Sequence, residues 1–186
     1  MKIYTKKGDL GITYLLDGKE VSKSNLIVIG YGAIDKVNVF IGSVVSCKNI
    51  PNQYKLLIYE IMKSLFAVSA SLSIKSKNKN KIIDNIVKNI DEEIIIKIED
   101  IIDNLEKKLP VLKKFILPIG CDISIKCHLA RTEIRIAEEI IVALKEKKIY
   151  INSIVLKYFN RLSDLFFVFA RYFNFLYYED EVFIDF

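Results

Sequence analysis

One histidine, three cysteines and only four arginines occur in the 186 residues, and each scarcity excludes something. A single imidazole, His128, leaves little room for a catalytic triad or for paired histidine acid–base chemistry. An enzyme with this sequence must run a reaction that does not depend on histidine. An odd number of cysteines in a chain of this size does not form a disulfide framework. Cys121, Cys127 and His128 are conceivable metal ligands, yet the six-residue cysteine spacing fits no common zinc pattern, and buried free thiols are the alternative. Long apolar runs are missing as well. No segment approaches the roughly 18 apolar residues that span a bilayer, and the most hydrophobic stretch, residues 154–175, is broken by Lys157, Asn160, Arg161, Asp164 and Arg171. The polar KIYTKKGD after Met1 lacks the apolar core of a signal peptide and the arginine-rich pattern of a transit peptide, so a cytoplasmic address is the expectation.

What is present describes a packed domain. With 52% hydrophobic and 27% charged residues, the whole of 1–186 reads as one domain: an extended arm (1–27), a helical bundle (28–175) and a C-terminal tail (176–186). The net charge of +5 is spread along the chain instead of gathered in a basic stripe, so neither nucleic acid nor membrane is expected as a partner. Richness in Ile, Lys and Asn is the mark of an AT-rich genome, in which lysine fills cationic positions by default. Arginine is then the unusual choice. All four lie between Arg131 and Arg171, where the planar guanidinium fork suits anion recognition or a fixed ion pair.

Five segments carry apolar residues at helical spacing. The expected helices cover about 28–46 (Ile34, Val37, Ile41, Val44), 51–73 (Leu57, Ile61, Leu65, Val68, Leu72) and 91–109 (Ile94, Ile98, Ile101, Leu105, Leu109). Two more cover about 123–147 (Leu129, Ile136, Ile140, Ala143) and 151–175 (Tyr158, Leu162, Leu165, Phe169, Tyr172). This pattern predicts an all-α, five-helix antiparallel bundle. KSKNKNK, residues 75–81, is too poor in apolar residues to pack and reads as a loop before a short helix over 82–90. Residues 1–27, with Gly8, Gly11 and Gly18 and no helical stripe, read as an irregular arm.

Three constellations have chemical potential. TKKGDLGIT (5–13) and DGKEVSK (17–23) combine glycine-freed backbone N–H groups, hydroxyls and lysines, as a polyphosphate site requires, although a Gly-Asp pair beside Lys is also an ordinary surface turn. In ARTEIRIAEE, Arg131, Arg135 and Glu138 share a helical face fit for a phosphate chain or for plain solvent. In YFNRLSD, Asn160 and Asp164 fall on a stripe with Phe167 and Arg171, beside aromatic neighbours; Asp35, Asn38 and Gly42 share a face of the first helix opposite its apolar stripe.

Six of these pieces stand in an order that resembles the PduO-type ATP:corrinoid adenosyltransferases. They are YTKKGDLGIT (4–13), VSK (21–23), YGAIDKVNVFIG (31–42), FILPIG (115–120), HLARTEIRIAE (128–138) and YFNRLSDLFFVFAR (158–171), and IEDIID (98–103) resembles the segment before FILP. Residues 47–95 are without such support.

The resemblance implies a homotrimeric bundle that transfers the 5′-deoxyadenosyl group of ATP to the cobalt of cob(I)alamin or a related corrinoid, releasing triphosphate. Cob(I)alamin is itself a strong nucleophile, so the poverty in histidine fits. By the family's pattern Thr5, Gly8, Asp9, Thr13, Lys23, Arg135, Glu138 and Asn160 bind ATP, with Mg²⁺ on the phosphate oxygens and no dedicated protein metal site. Asp35 pairs with Arg131 across a subunit boundary, and Phe115 displaces the lower axial ligand of the corrinoid; Arg135, Phe115, Asp35 and Arg131 are the catalytic set. A flavoprotein reductase and an adenosylcobalamin-dependent acceptor enzyme are implied partners. The chain departs from the pattern at Glu20, Ile119, Ile136 and Glu139; three of the four replace a common arginine or loosen the charge of the phosphate site, and Ile119 stiffens a turn near the corrinoid. A nucleotide-binding carrier or regulator on the same bundle, or a purely structural helical oligomer, are the other classes this sequence allows.

Overall fold

The computed structural model describes Tyr4 and residues 6–72, 85–86, 88 and 90–184. Among them run two short strands, β1 (Ile12–Tyr14) and β2 (Glu20–Ser22), and five long helices: α1 (Leu26–Val45), α2 (Asn52–Leu72), α3 (Glu92–Glu106), α4 (Asp122–Glu146) and α5 (Ser153–Leu176). The bundle is the one the periodicity predicts, with ends displaced by a few residues. The loop at 75–81 and most of the short helix expected over 82–90 lie outside the described residues.

Helix ends follow local chemistry. Asn25, Asp91 and Asn152 each stand at an N-cap in extended conformation, and their side chains accept from Ile27, Ile94 and Ile154 N–H. α4 lies between α1 and α5; α1 also packs on α2, and α3 packs on α5. The bundle closes where α2 meets α5: Ser64 and Tyr158 hydroxyls stand 2.6 Å apart, and Tyr54 meets Phe169 edge-on at 5.2 Å between ring centres. α5 supplies the centre of the core, with Tyr158, Phe159, Phe166, Phe169 and Phe173 fully buried.

Two readings of helix faces require correction. On α4 the buried stripe is Cys127, Ala130, Ile134, Ala137, Ile141 and Leu144, while Leu129 and Ile136 are exposed. The helix is amphipathic in an unusual sense: apolar residues occupy its outer face too, so periodicity alone selects the wrong one. On α1, Asn38 is buried instead of lying with exposed Asp35 opposite the apolar stripe. α1 is also, by length and composition, apolar enough to cross a membrane, contrary to the run-length argument. Here Ile34, Val37, Ile41 and Val44 are fully buried in the bundle, and Lys36 forms an ion pair with Glu133 of α4 at 2.8 Å.

The arm is irregular apart from a hairpin. β1 and β2 pair antiparallel, Thr13 opposite Val21, around a turn in which Gly18 takes a φ of +80°. Glu20 accepts from the Tyr14 hydroxyl at 2.7 Å across the hairpin, which pushes the Tyr14 phenol upward in pKa.

Candidate active site

Two groups of the expected ATP residues assemble separately. In the arm, Lys23 N–H donates to the Gly11 carbonyl at 2.8 Å, which ties the start of α1's approach to the glycine turn. A Cβ added at Gly8 would stand 3.0 Å from Lys23 Nζ. Gly8 therefore lets an ammonium approach the backbone, the arrangement an anion needs. Asp9 belongs to the same turn, its N–H bound to the Lys6 carbonyl, and Thr13 lies on β1. Thr5 lies outside the described residues.

The second group spans α4 and α5. Burial raises the Glu138 carboxyl in pKa, opposed by the Arg135 charge and by a hydrogen bond from the Asn160 side-chain amide. The Asn160 carbonyl oxygen in turn accepts from Arg161 Nη1 at 3.0 Å, which fixes its amide orientation. Arg161 is itself held by Glu99 of α3 at 2.5 Å and by Asp164 at 3.4 Å. Arg135, Glu138 and Asn160 thus converge as the sequence implies. Asn160 and Asp164 are nevertheless exposed, not sheltered by aromatic neighbours. Their stripe runs from open surface at Asn160 to the interior at Arg171, whose Nη2 donates to the Pro110 carbonyl.

Among the described residues no hydrogen bond or ion pair joins Gly8, Asp9, Thr13 or Lys23 to Arg135, Glu138 or Asn160. Asp35 and Arg131 likewise do not meet within one chain. Arg131 lies over the Phe167 ring at 5.9 Å with its Nε buried and without a hydrogen-bond partner; burial, then the Arg135 charge, lower its pKa. His128, one turn earlier, meets the same ring at 6.2 Å, and burial followed by the Arg131 charge drops its pKa to about 4. Its imidazole is neutral at pH 7. Cys127 is buried in the core, its thiol pushed well up in pKa, and Cys121 caps α4; among the described residues no group of three or more His, Cys, Asp or Glu is arranged to hold a metal.

Phe115 stands on the segment between α3 and α4 and is 73% exposed, so it is not part of the core. Leu112, Leu117 and Ile119 are exposed around it, an apolar rim suited to a flat macrocycle. Gly120 ends the segment at φ +128°, and a Cβ there would overlap the Asn174 side chain. Only glycine fits. Asn174 escaped the sequence reading, although a buried amide inside RYFNFLYY carries the same signal that singled out Asn160.

The five-helix bundle and its polar clusters match one class of known proteins. Residues 3–173 match the model of the family described as cobalamin adenosyltransferase, and the chain belongs to that family. A corrinoid adenosyltransferase of Bacillus subtilis (strain 168) is 38% identical over 177 residues, covering 94% of this chain and 87% of that protein. The corrinoid adenosyltransferase PduO of Salmonella typhimurium is 33% identical over 171 residues, 92% of this chain; the chain spans 49% of that longer relative. Among solved structures, a phenylalanine-to-histidine variant of the PduO-type ATP:corrinoid adenosyltransferase of Lactobacillus reuteri, complexed with cobalamin and ATP, superposes with a TM-score of 0.84 at 33% identity, covering 98% of this chain and 96% of that one. An arginine-to-lysine variant of that enzyme complexed with ATP gives 0.81 at 33% identity, with 98% and 100% covered.

Proposed function

We propose that this chain transfers the 5′-deoxyadenosyl group of ATP to the cobalt of a cob(I)alamin-type corrinoid, as a homotrimer with sites between subunits. In the reaction the Co(I) electron pair forms the Co–C5′ bond, cobalt becomes Co(III), and the C5′–O bond breaks with its pair leaving on triphosphate. No general base is required, in keeping with a neutral, buried His128. The protein's work is to hold the triphosphate, aim C5′ and exclude water.

The convergence of Arg135, Glu138 and Asn160 on one surface of a chain of this family is the observation that carries the reading. Arg135 offers the phosphate chain a bidentate fork, Asn160 a donor held by Arg161, and Glu138 a carboxylate. Magnesium fits this donor set, since it is usually held by one or two carboxylates together with phosphate oxygens. Gly8, Asp9, Thr13 and Lys23, with Thr5, complete the phosphate grip. Their separation from the α4–α5 group within one chain supports completion by a neighbouring subunit. The unpartnered Arg131 Nε, the exposed Asp35 and the outward apolar stripe of Leu129 and Ile136 on α4 support the same arrangement, with Asp35 and Arg131 pairing between subunits. Phe115 stands below the corrinoid and keeps the lower axial ligand off cobalt. The electron supply is a flavoprotein reductase, the product goes to an adenosylcobalamin-dependent enzyme, and the address is cytoplasmic.

Incubation with ATP and chemically reduced cobalamin tests this reading. The expected result is triphosphate together with a corrinoid whose Co–C bond breaks in light; ATP binding without either product would make the chain a carrier.

A further inference from the structure

The segment that presents Phe115 is tied to the rest of the molecule at its start, middle and end. Three of these ties lead to the end of α5 and the C-terminal tail. First, Arg171, only 3% exposed, donates through Nε to Glu181 Oε1 at 2.5 Å and through Nη2 to Oε2 of the same carboxylate at 3.2 Å. Nη2 also donates to the Pro110 carbonyl at 2.8 Å, so one guanidinium grips both the start of the Phe115 segment and the tail. Second, Asn174, also 3% exposed, donates to the Ile119 carbonyl at 2.9 Å and accepts from Cys121 N–H at 3.1 Å, closing the far end around Gly120. Third, the tail pairs with the segment's middle: Leu117 N–H donates to the Val182 carbonyl and Ile184 N–H to the Phe115 carbonyl, both at 2.9 Å, about a bridge between Ile116 and Phe183.

Phe115 is therefore an exposed ring on a backbone whose register is borrowed from the tail. Register in such a pairing is all that decides which face a side chain takes, since a slip of one residue turns each side chain over. Val182, the tail's first pairing residue, directly follows Glu181. The carboxylate locked onto buried Arg171 thus fixes where the pairing begins. A bidentate guanidinium–carboxylate fork has one geometry, so it sets position as well as attraction.

We infer that Arg171 and Glu181 form a positioning pair for Phe115: through the register of the tail against residues 115–117, the buried fork holds the ring where it bars the lower face of the corrinoid. Neither residue touches the reacting atoms. The inference rests on the reading of Phe115 given above and adds to it the residues that make the position stable.

The test compares the full chain with Glu181→Gln, Glu181→Asp and the double variant Arg171→Gln/Glu181→Gln, the last leaving no unpaired buried charge if the single change impairs folding. Each is assayed for the KM of ATP, for four-coordinate Co(II) formed with ATP present, and for turnover from Co(II) and from pre-reduced Co(I). Glu181→Gln and the double variant are expected to keep the KM for ATP within about twofold and to lose four-coordinate Co(II) by about fivefold or more. Turnover from Co(II) should fall at least about tenfold, against less than about threefold from Co(I), with Glu181→Asp recovering part of it. Placed in a Phe115→Ala chain, Glu181→Gln should add nothing, because the residue it positions is gone. Equal losses from both cobalt states, or losses that add to those of Phe115→Ala, would make the pair a plain structural brace and overturn the inference. If Phe115→Ala itself shows no preference for Co(II), or the unaltered chain forms no product, the reading beneath fails and the inference falls with it.

Discussion

Arg135 and His128, two turns apart on α4, show how little a residue type says without its surroundings. Arg135 is exposed and free to meet an anion, whereas His128 is buried and held neutral. Arg135→Lys preserves the charge but loses the fork, and transition-state or ATP binding should weaken by ~1–3 kcal/mol, the range for charge-assisted hydrogen bonds. Steady-state kinetics with varied ATP checks this, and unchanged kcat and KM would remove Arg135 from the site. For His128 the folded pKa of about 4 lies below the ordinary 6.5 of the free side chain. The unfolded chain then takes up the proton first as pH falls, so the stability tied to neutral His128 is full above pH 6.5 and drains away toward pH 4. The loss is on the order of 3 kcal/mol. Thermal melts between these pH values should fall more steeply for the unaltered chain than for His128→Gln; parallel curves would show that the imidazole is not the titrating group. Arg135 and Asn160 could be singled out in the sequence, Arg135 because arginine is scarce and both because they stand in motifs that resemble the family's. Asn174 carried the same signal, an amide in an apolar run, but its partners 53 and 55 residues away were not readable, and Glu181 meets Arg171 across 10 residues with no local pattern to mark it.

At the level of the element, apolar periodicity located all five helices, because a 3.6-residue repeat is imposed by burial itself. It failed on the orientation of α4, where Leu129 and Ile136 repeat on the outer face as regularly as Ile134 and Ile141 do on the inner one. A single chain cannot bury both faces. The β1–β2 hairpin was hidden for a different reason: three-residue strands are too short to display alternation. In the segment between α3 and α4, Gly120 combines a positive φ with contact to Asn174, and a side chain there meets strain and overlap together. Gly120→Ala should destabilise the fold by ~1–3 kcal/mol, the scale of one backbone residue forced into an unfavourable region. It should also weaken corrinoid binding more than ATP binding. Denaturant unfolding and separate ligand titrations check both, and a stability unchanged from the parent chain would mean that the loop relaxes at no cost.

The whole molecule is where the account asks most of a second copy. Within one chain the two groups proposed to grip the phosphates stand apart, Arg131 has a buried Nε without a partner, and α4 presents apolar residues outward. Asp35→Asn and Arg131→Ala should each lower activity, since removing one member of a desolvated pair leaves the other charge uncompensated. The double change should cost less than the sum. Strictly additive effects would show that these residues do not meet in the assembly. None of this was readable from periodicity; only the ordered motifs pointed beyond a single bundle.

The most direct measurement is the ratio of products formed from ATP and pre-reduced cob(I)alamin under anaerobic conditions. The account predicts triphosphate and a light-sensitive adenosylcorrinoid in equal amounts, because one C5′–O bond is broken for each Co–C bond made. Release of ADP and orthophosphate, or triphosphate without photolabile corrinoid, would contradict adenosyl transfer as the activity of this chain.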